Sequence, residues 1–163
     1  MGYVNRAVLV SVLTCVSSLA VATENAVLTV SGNLPIAQED GNIQFSLDEL
    51  QAMGTVTFET TTPWTDGVQT FEGVPLAALV SALQLEYGFL EATAVNDYSV
   101  NFPVDEAMAE GPVVSFLRNG KPMSLRDKGP LWIVYPYDSD ADYRTEIVYS
   151  RSIWQLDRIV VKE

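Results

Sequence analysis

Apolar and polar residues alternate over residues 56–59, with Val56 and Phe58 pointing one way and Thr57 and Glu59 the other, the period-two pattern of a half-buried strand. The strand breaks into a polar run, Thr60-Thr61-Thr62-Pro63-Trp64-Thr65-Asp66-Gly67, read as a loop. Phe71, Gly73 and Pro75 follow, and Pro75 suits the first turn of a helix over 76–83. A strand that delivers hydroxyls and one Trp to a loop ahead of a helix start can be a pocket wall. It can equally be a strand, a surface loop and a helix with no ligand.

The remaining pattern predicts short, mixed elements. Residues 27–31 form a strand ended by Gly32-Asn33, and 35–42 a loop. Ser46 and Glu49 make a capping box for a short helix. Strands over 92–95 and 99–102 flank Asn96-Asp97-Tyr98, and Pro103 opens a helix over 104–109 with Asp105 and Glu106 in its first turn. A strand over 113–118 meets Asn119-Gly120, a strong hairpin signal. Residues 131–135 are almost wholly apolar and read as a central strand. Past the acidic stretch 138–142, residues 144–150 are of uncertain type, and 154–161 form the last strand. The length fits a single domain with a proper core.

Residues 1–22 stand apart. Arg6, an apolar run over 7–20, and Ala20-Val21-Ala22 as a small-x-small site have the form of a secretory signal peptide cleaved after Ala22. The run is short of the roughly 20 residues of a membrane span. Cys15 lacks the flanks of a lipoprotein cysteine. The expected domain is then 23–163, 163 − 22 = 141 residues, placed in the periplasm.

Removing that segment takes one positive charge from a chain of net charge −12, leaving −12 − 1 = −13. Such a protein repels phosphates and anionic surfaces, which argues against nucleic acid and against direct membrane insertion. With no His anywhere and Cys15 in the leader, a thiolate ligand, an imidazole base and a Ser-His-Asp triad are all absent. Asp138-Ser139-Asp140-Ala141-Asp142 opens like a calcium loop, but Tyr143 stands where Gly is needed and Tyr149 where the bidentate Glu belongs. A calcium-dependent structural module is the reading this motif would support.

FEGVPLAALVSAL (71–83), VNDYSVNFPVDEAM (95–108) and RNGKPMSLRDKGPLWIVYP (118–136) resemble, in order and spacing, the molybdopterin-binding domain of the sulfite oxidase family. The likeness runs from about Val27 to Ile159. It implies that family's pterin-binding fold, a single α+β domain with a mixed sheet. The family's metal-ligating cysteine would fall at Thr60, and the basic residues that follow it are replaced by Thr61, Thr62, Pro63 and Trp64. A hydroxyl does not substitute for a soft thiolate on a redox metal, so no molybdenum ligated by the protein is expected.

The resemblance is closest to stand-alone, exported, cysteine-less members that bind free pterins. It implies a non-catalytic regulator whose partner is the periplasmic domain of an inner-membrane enzyme that makes and degrades cyclic di-GMP, and hence a part in biofilm signalling. The alternative is an oxidoreductase component holding a metal only through its pterin.

A pterin needs a stacking face and a few fixed polar groups in a mostly apolar cleft. Trp64 is the candidate face, or else a core plug; Thr60, Thr61 and Thr62 present hydroxyls to the ligand edge, or else satisfy their own loop. Asp97 and Tyr98 match the family's Asp-Tyr pair, though Asn96-Asp97 also reads as a turn. Arg126 and Lys128 form a basic cluster for an anionic group, or a solvated loop; Tyr135, Tyr137 and Arg144 flank the last loop. The C-terminal strand and the helix over 46–53 are candidate partner surfaces, with a core-facing role as the alternative for each.

Overall fold

The structure is a computed structural model and describes residues 25–36 and 41–163. The leader predicted over 1–22, with Cys15, lies outside the described residues.

The elements run β1 (Ala26–Gly32), β2 (Asn42–Ser46), α1 (Leu47–Ala52), β3 (Val56–Thr61), β4 (Val68–Pro75), α2 (Leu76–Ala82), β5 (Phe89–Ala94), β6 (Ser99–Pro103), α3 (Val104–Ala107), β7 (Val113–Arg118), β8 (Lys121–Pro122), β9 (Leu131–Val134), α4 (Glu146–Arg151) and β10 (Trp154–Lys162). The strands form one mixed sheet whose main path is β2-β1-β10-β9-β7-β4-β3, with β5, β6 and β8 attached at its side.

The predicted capping box is present. Ser46 Oγ accepts from the Glu49 N–H while the Glu49 carboxylate accepts from the Ser46 N–H at 2.8 Å. At the β7–β8 hairpin, Asn119 and Gly120 adopt φ of 53° and 71°, the paired positive angles that suit the twist of flanking strands.

Three segments depart from expectation. Thr60 and Thr61 belong to β3 rather than to a loop, so the connection narrows to residues 62–67. Residues 68–75, to which the sequence pattern assigned no element, are the strand β4, because pairing with both β3 and β7 outweighs the weak local pattern around Gly73. The uncertain stretch 144–150 contains α4, whose N-cap Thr145 accepts from the Val148 N–H at 3.3 Å.

β10 joins the sheet together. It runs parallel to β1, from Thr29 opposite Arg158 to Gly32 opposite Val161, and antiparallel to β5. Its first residues pair with β9, Trp154 opposite Trp132. Between these partners Gln155 sits at φ 54°, its N–H donating to the Lys128 carbonyl at 3.0 Å and its Nε2 to the Leu125 carbonyl at 2.7 Å. Leu156, Ile159 and Val161 are buried, so the C-terminal strand faces the core instead of serving as a partner surface. Each such side chain contributes about 1.5–3 kcal/mol. In α1, Leu50 is buried against the sheet in the same way.

The loop after β9 is fastened to the edge strand β3. Asp138 Oδ2 accepts from the Thr61 N–H at 2.6 Å and Oδ1 from the Thr61 hydroxyl at 2.8 Å. The Asp138 N–H donates to Thr60 Oγ1 at 3.1 Å, and that hydroxyl donates to the Thr61 carbonyl. These bonds, the backbone donor first, hold the Asp138 carboxyl below its usual pKa of 3.8.

Gly73 passes under β7 at a point where an added Cβ would lie 2.3 Å from the Val114 carbonyl oxygen and 2.5 Å from Ser115 Cα. Replacing Gly73 by Ala is expected to cost about 1–3 kcal/mol as the strands are forced apart, read as a lower urea midpoint. An unchanged midpoint would show that β4 and β7 separate freely. The clamp has a pH signature. Because the folded pKa of Asp138 lies below the unfolded one, its stabilisation is complete above the unfolded value and fades as pH falls through the folded value. Carboxyl carbon NMR is expected to show Asp138 titrating below 3.8, and Thr61→Val is expected to move that titration upward. A titration midpoint unmoved by the substitution would remove the hydroxyl from the clamp.

Candidate functional site

Where β10 begins, three connections converge on a cleft of about 380 Å³ lined by Trp64, Asn96, Tyr98, Tyr149, Ser150 and Trp154 among others. Each arrives for a local reason. Trp64 is set by a short turn in which its N–H donates to Thr62 Oγ1 at 3.1 Å, while the Thr62 and Thr65 hydroxyls bond each other at 2.8 Å. Tyr98 rides the β5–β6 hairpin, where Asp97 takes φ 66° and the Ala94 N–H donates to the Tyr98 carbonyl at 2.9 Å. Asn96 accepts from the Tyr98 N–H through its side chain at 3.3 Å. Tyr149 comes from α4, and Trp154 precedes the left-handed residue Gln155.

The walls are aromatic. Trp64 meets Trp132, Tyr137, Tyr149 and Trp154 edge to face, with ring centroids 6.0, 6.2, 5.8 and 5.6 Å away. Such pairs contribute about 0.5–1.5 kcal/mol each beyond the area they bury. Trp64 is therefore a half-buried wall packed against the core. Tyr98 is 53% exposed and closes the opposite side, leaving a ring face open to a ligand.

Lys128 stands beside the cleft. Its ammonium lies 4.4 Å from the Trp154 ring centroid and 5.5 Å from that of Trp132, a cation–π position on two indoles. It takes φ 76° at the end of a single 3-10 turn, Leu125–Asp127. Arg126, in that turn, is exposed and does not line the cleft.

Several predicted residues do other work. The Thr60 and Thr61 hydroxyls are engaged in the Asp138 clamp and that of Thr62 in its own turn, so none faces the cleft with a free donor. Asp97 is not a lining residue; its carboxylate pairs with Arg158 on the outside of the hairpin. Tyr135 and Tyr137 are buried behind Trp64 and support it. Burial pushes the Tyr135 phenol up to about 12 and the Tyr137 phenol higher still. The Tyr137 hydroxyl donates to Ser152 Oγ at 2.5 Å, and Ser152 in turn to the Val148 carbonyl at 2.8 Å. Arg144 is exposed near Asp138, away from the cleft.

Sequence reasoning missed Asn96, Tyr149, Ser150 and Trp154. Thr145 ahead of Glu146 was the available signal for α4 and hence for Tyr149. For Trp154 no local pattern announces that its ring turns toward Trp64.

The residues do not fit a protein-ligated molybdenum. Thr60 is fully buried, and its hydroxyl both accepts from Asp138 and donates to Thr61. In the acidic stretch, both Asp138 oxygens are committed to Thr61, and Asp140 caps the Asp142 N–H at 2.9 Å. Among the described residues no group of three or more His, Cys, Asp or Glu is placed to hold a metal ion. Four aromatic rings, those of Trp64, Tyr98, Tyr149 and Trp154, line the cleft. A cavity of about 450 Å³ beside Asn33 and Lys162, for comparison, has the single aromatic ring of Tyr87.

No protein-family model matches the sequence, and no curated protein matches it. Among solved structures, the sulfane dehydrogenase SoxCD from Paracoccus pantotrophus superposes with a TM-score of 0.59 over 83% of this chain, at 16% identity. The chain spans 37% of that protein's length. With the strand order described above, this likeness makes the fold an α+β fold of the sulfite-oxidase, molybdopterin-binding type in a single domain.

Proposed function

We propose that the chain is an exported, non-catalytic pterin-binding protein that reports pterin to the periplasmic domain of a membrane enzyme of cyclic di-GMP turnover. The observation that supports it is the cleft itself, with aromatic walls from Trp64, Tyr98, Tyr149 and Trp154; by the resemblance, the buried and hydrogen-bonded Thr60 stands where the family's metal-ligating cysteine falls. A pteridine lies flat between such walls, and its amide and amine edges reach the Asn96 side chain and the Ser150 hydroxyl. Lys128 over Trp154 draws electron density toward the rim and favours an electron-rich or anionic side chain on the ligand.

Export rests on the sequence of residues 1–22. The partner reading rests on the resemblance and on charge, since a protein of net charge −12 favours a basic face on what it meets. Regulation then requires that pterin bind one conformation of the cleft loops more tightly than another. A second reading, an oxidoreductase component in which the pterin alone holds the metal, draws its support from the likeness to a dehydrogenase.

Titrating purified protein with one reduced and one oxidised free pterin, read by Trp fluorescence, tests the proposal. Saturable quenching in the micromolar range is expected. Tyr98→Ala, a change at an exposed ring, is expected to weaken binding about tenfold, in line with ~1–3 kcal/mol for a stacked base, at an unchanged melting temperature. Trp64→Phe is expected to reduce both quenching and affinity. Absence of saturation with either pterin would refute the proposal, and stoichiometric molybdenum or tungsten in the purified protein would favour the oxidoreductase.

A further inference from the structure

We infer that the free edge of β3, with the apolar groove beside it, takes an extended segment of a partner protein as an additional strand, and that this segment alternates apolar with basic residues. The inference deepens the partner side of the proposed function, and it rests on that reading only for what the partner does.

Backbone direction comes first. Thr61 sends its N–H away from β4 to Asp138. Glu59 lies opposite Thr70, whose own N–H and carbonyl point the other way, to the Asn119 side chain and backbone at 2.9 and 2.7 Å. Both observations place the odd-numbered residues of β3 outward. With a period of two, the N–H and C=O groups of Thr57 and Glu59 face out from the sheet edge. Asp138 caps only the Thr61 end. Among the described residues, Thr57 and Glu59 have no inter-strand neighbour on that side, since β3 ends the sheet path.

Beside this edge runs a groove of about 480 Å³, with Val56 and Phe58 on one wall and Pro75, Met108, Pro112 and Tyr143 on the other. Tyr143 is held there by a hydrogen bond from its hydroxyl to the Glu110 carbonyl at 3.0 Å. Val56 and Met108 are 39% and 45% exposed, apolar surface that an added strand would cover. A segment paired with Thr57 and Glu59 would drop every second side chain into this groove, which selects apolar residues there. The groove lining contains Glu110 and no Lys or Arg, Glu59 alternates to the opposite face of the same edge, where the segment's intervening side chains would lie, and the whole chain carries −12. The intervening side chains of the segment are therefore basic.

The same strand leads from this edge through Thr60 and Thr61 to the Trp64 loop. Docking at one end and a ligand at the other share one rigid element.

The test uses a fluorescently labelled octapeptide of four Lys-Val repeats, with a block peptide of four Lys followed by four Val as its match in composition and charge. Fluorescence anisotropy is expected to show saturable micromolar binding of the alternating peptide and at least tenfold weaker binding of the block peptide. Thr57→Pro removes an outward N–H without touching the β3–β4 ladder and is expected to weaken binding at least tenfold at an unchanged melting temperature. Glu59→Lys, which leaves the backbone intact, is expected to do the same. Equal binding of the two peptides, no binding by the wild type, or variants that bind like the wild type would each overturn the inference. So would a dimer in sedimentation that Thr57→Pro dissolves, since the edge would then belong to a second copy. Pterin quenching measured on the same variants separates the two readings: quenching retained in Thr57→Pro leaves the cleft standing whatever the peptide does.

Discussion

The architecture depends on one strand serving three neighbours. β10 must pair with β9 at its start and with β1 and β5 beyond it, and no straight strand reaches all three. The left-handed backbone at Gln155 resolves this, and the residue is tied down through both its N–H and its side chain to the turn that carries Lys128. Just before that bend Trp154 pairs with Trp132 in the ladder, and its ring packs against Trp64 and faces the Lys128 ammonium. The aromatic cleft thus stands beside the bend of the sheet's shared strand, with Trp64, Asn96 and Tyr98 brought to it by connections.

The second constraint is local. At the end of β3, Thr60 and Thr61 bind Asp138, so this position is closed by neutral and carboxylate hydrogen bonds. Burial without a thiolate favours such closure, because a buried hydroxyl must find partners.

Much of the fold was legible because its signals are local. Ser46 and Glu49, Pro75, Pro103 and Asn119-Gly120 each announce an element end by backbone chemistry, and each stands where that chemistry requires. β4 was not legible, since Gly73 and Pro75 weaken its pattern and its stability comes from β3 and β7, distant in sequence. The membership of the cleft was legible in part. Trp64 and Tyr98 line it and Lys128 stands against its Trp154 wall, but Asp97 turned outward to Arg158, Thr60 and Thr61 turned to Asp138, and Thr62 turned to its own loop. Side-chain direction at a hairpin depends on which face finds a counter-charge, and Arg158 lies on a strand some sixty positions away.

Trp64, Trp132 and Trp154 are all the tryptophans of the protein, and they lie within 5.6–6.3 Å of one another. At such separations the transition dipoles of indoles couple, so the three rings absorb as one delocalised chromophore with mixed excited states. Their steep interplanar angles, 62°, 66° and 90°, give that coupling a chiral arrangement. The ultraviolet circular dichroism of this protein therefore carries an exciton couplet from a single spot, and that couplet is an optical fingerprint of the cleft rather than of the fold at large.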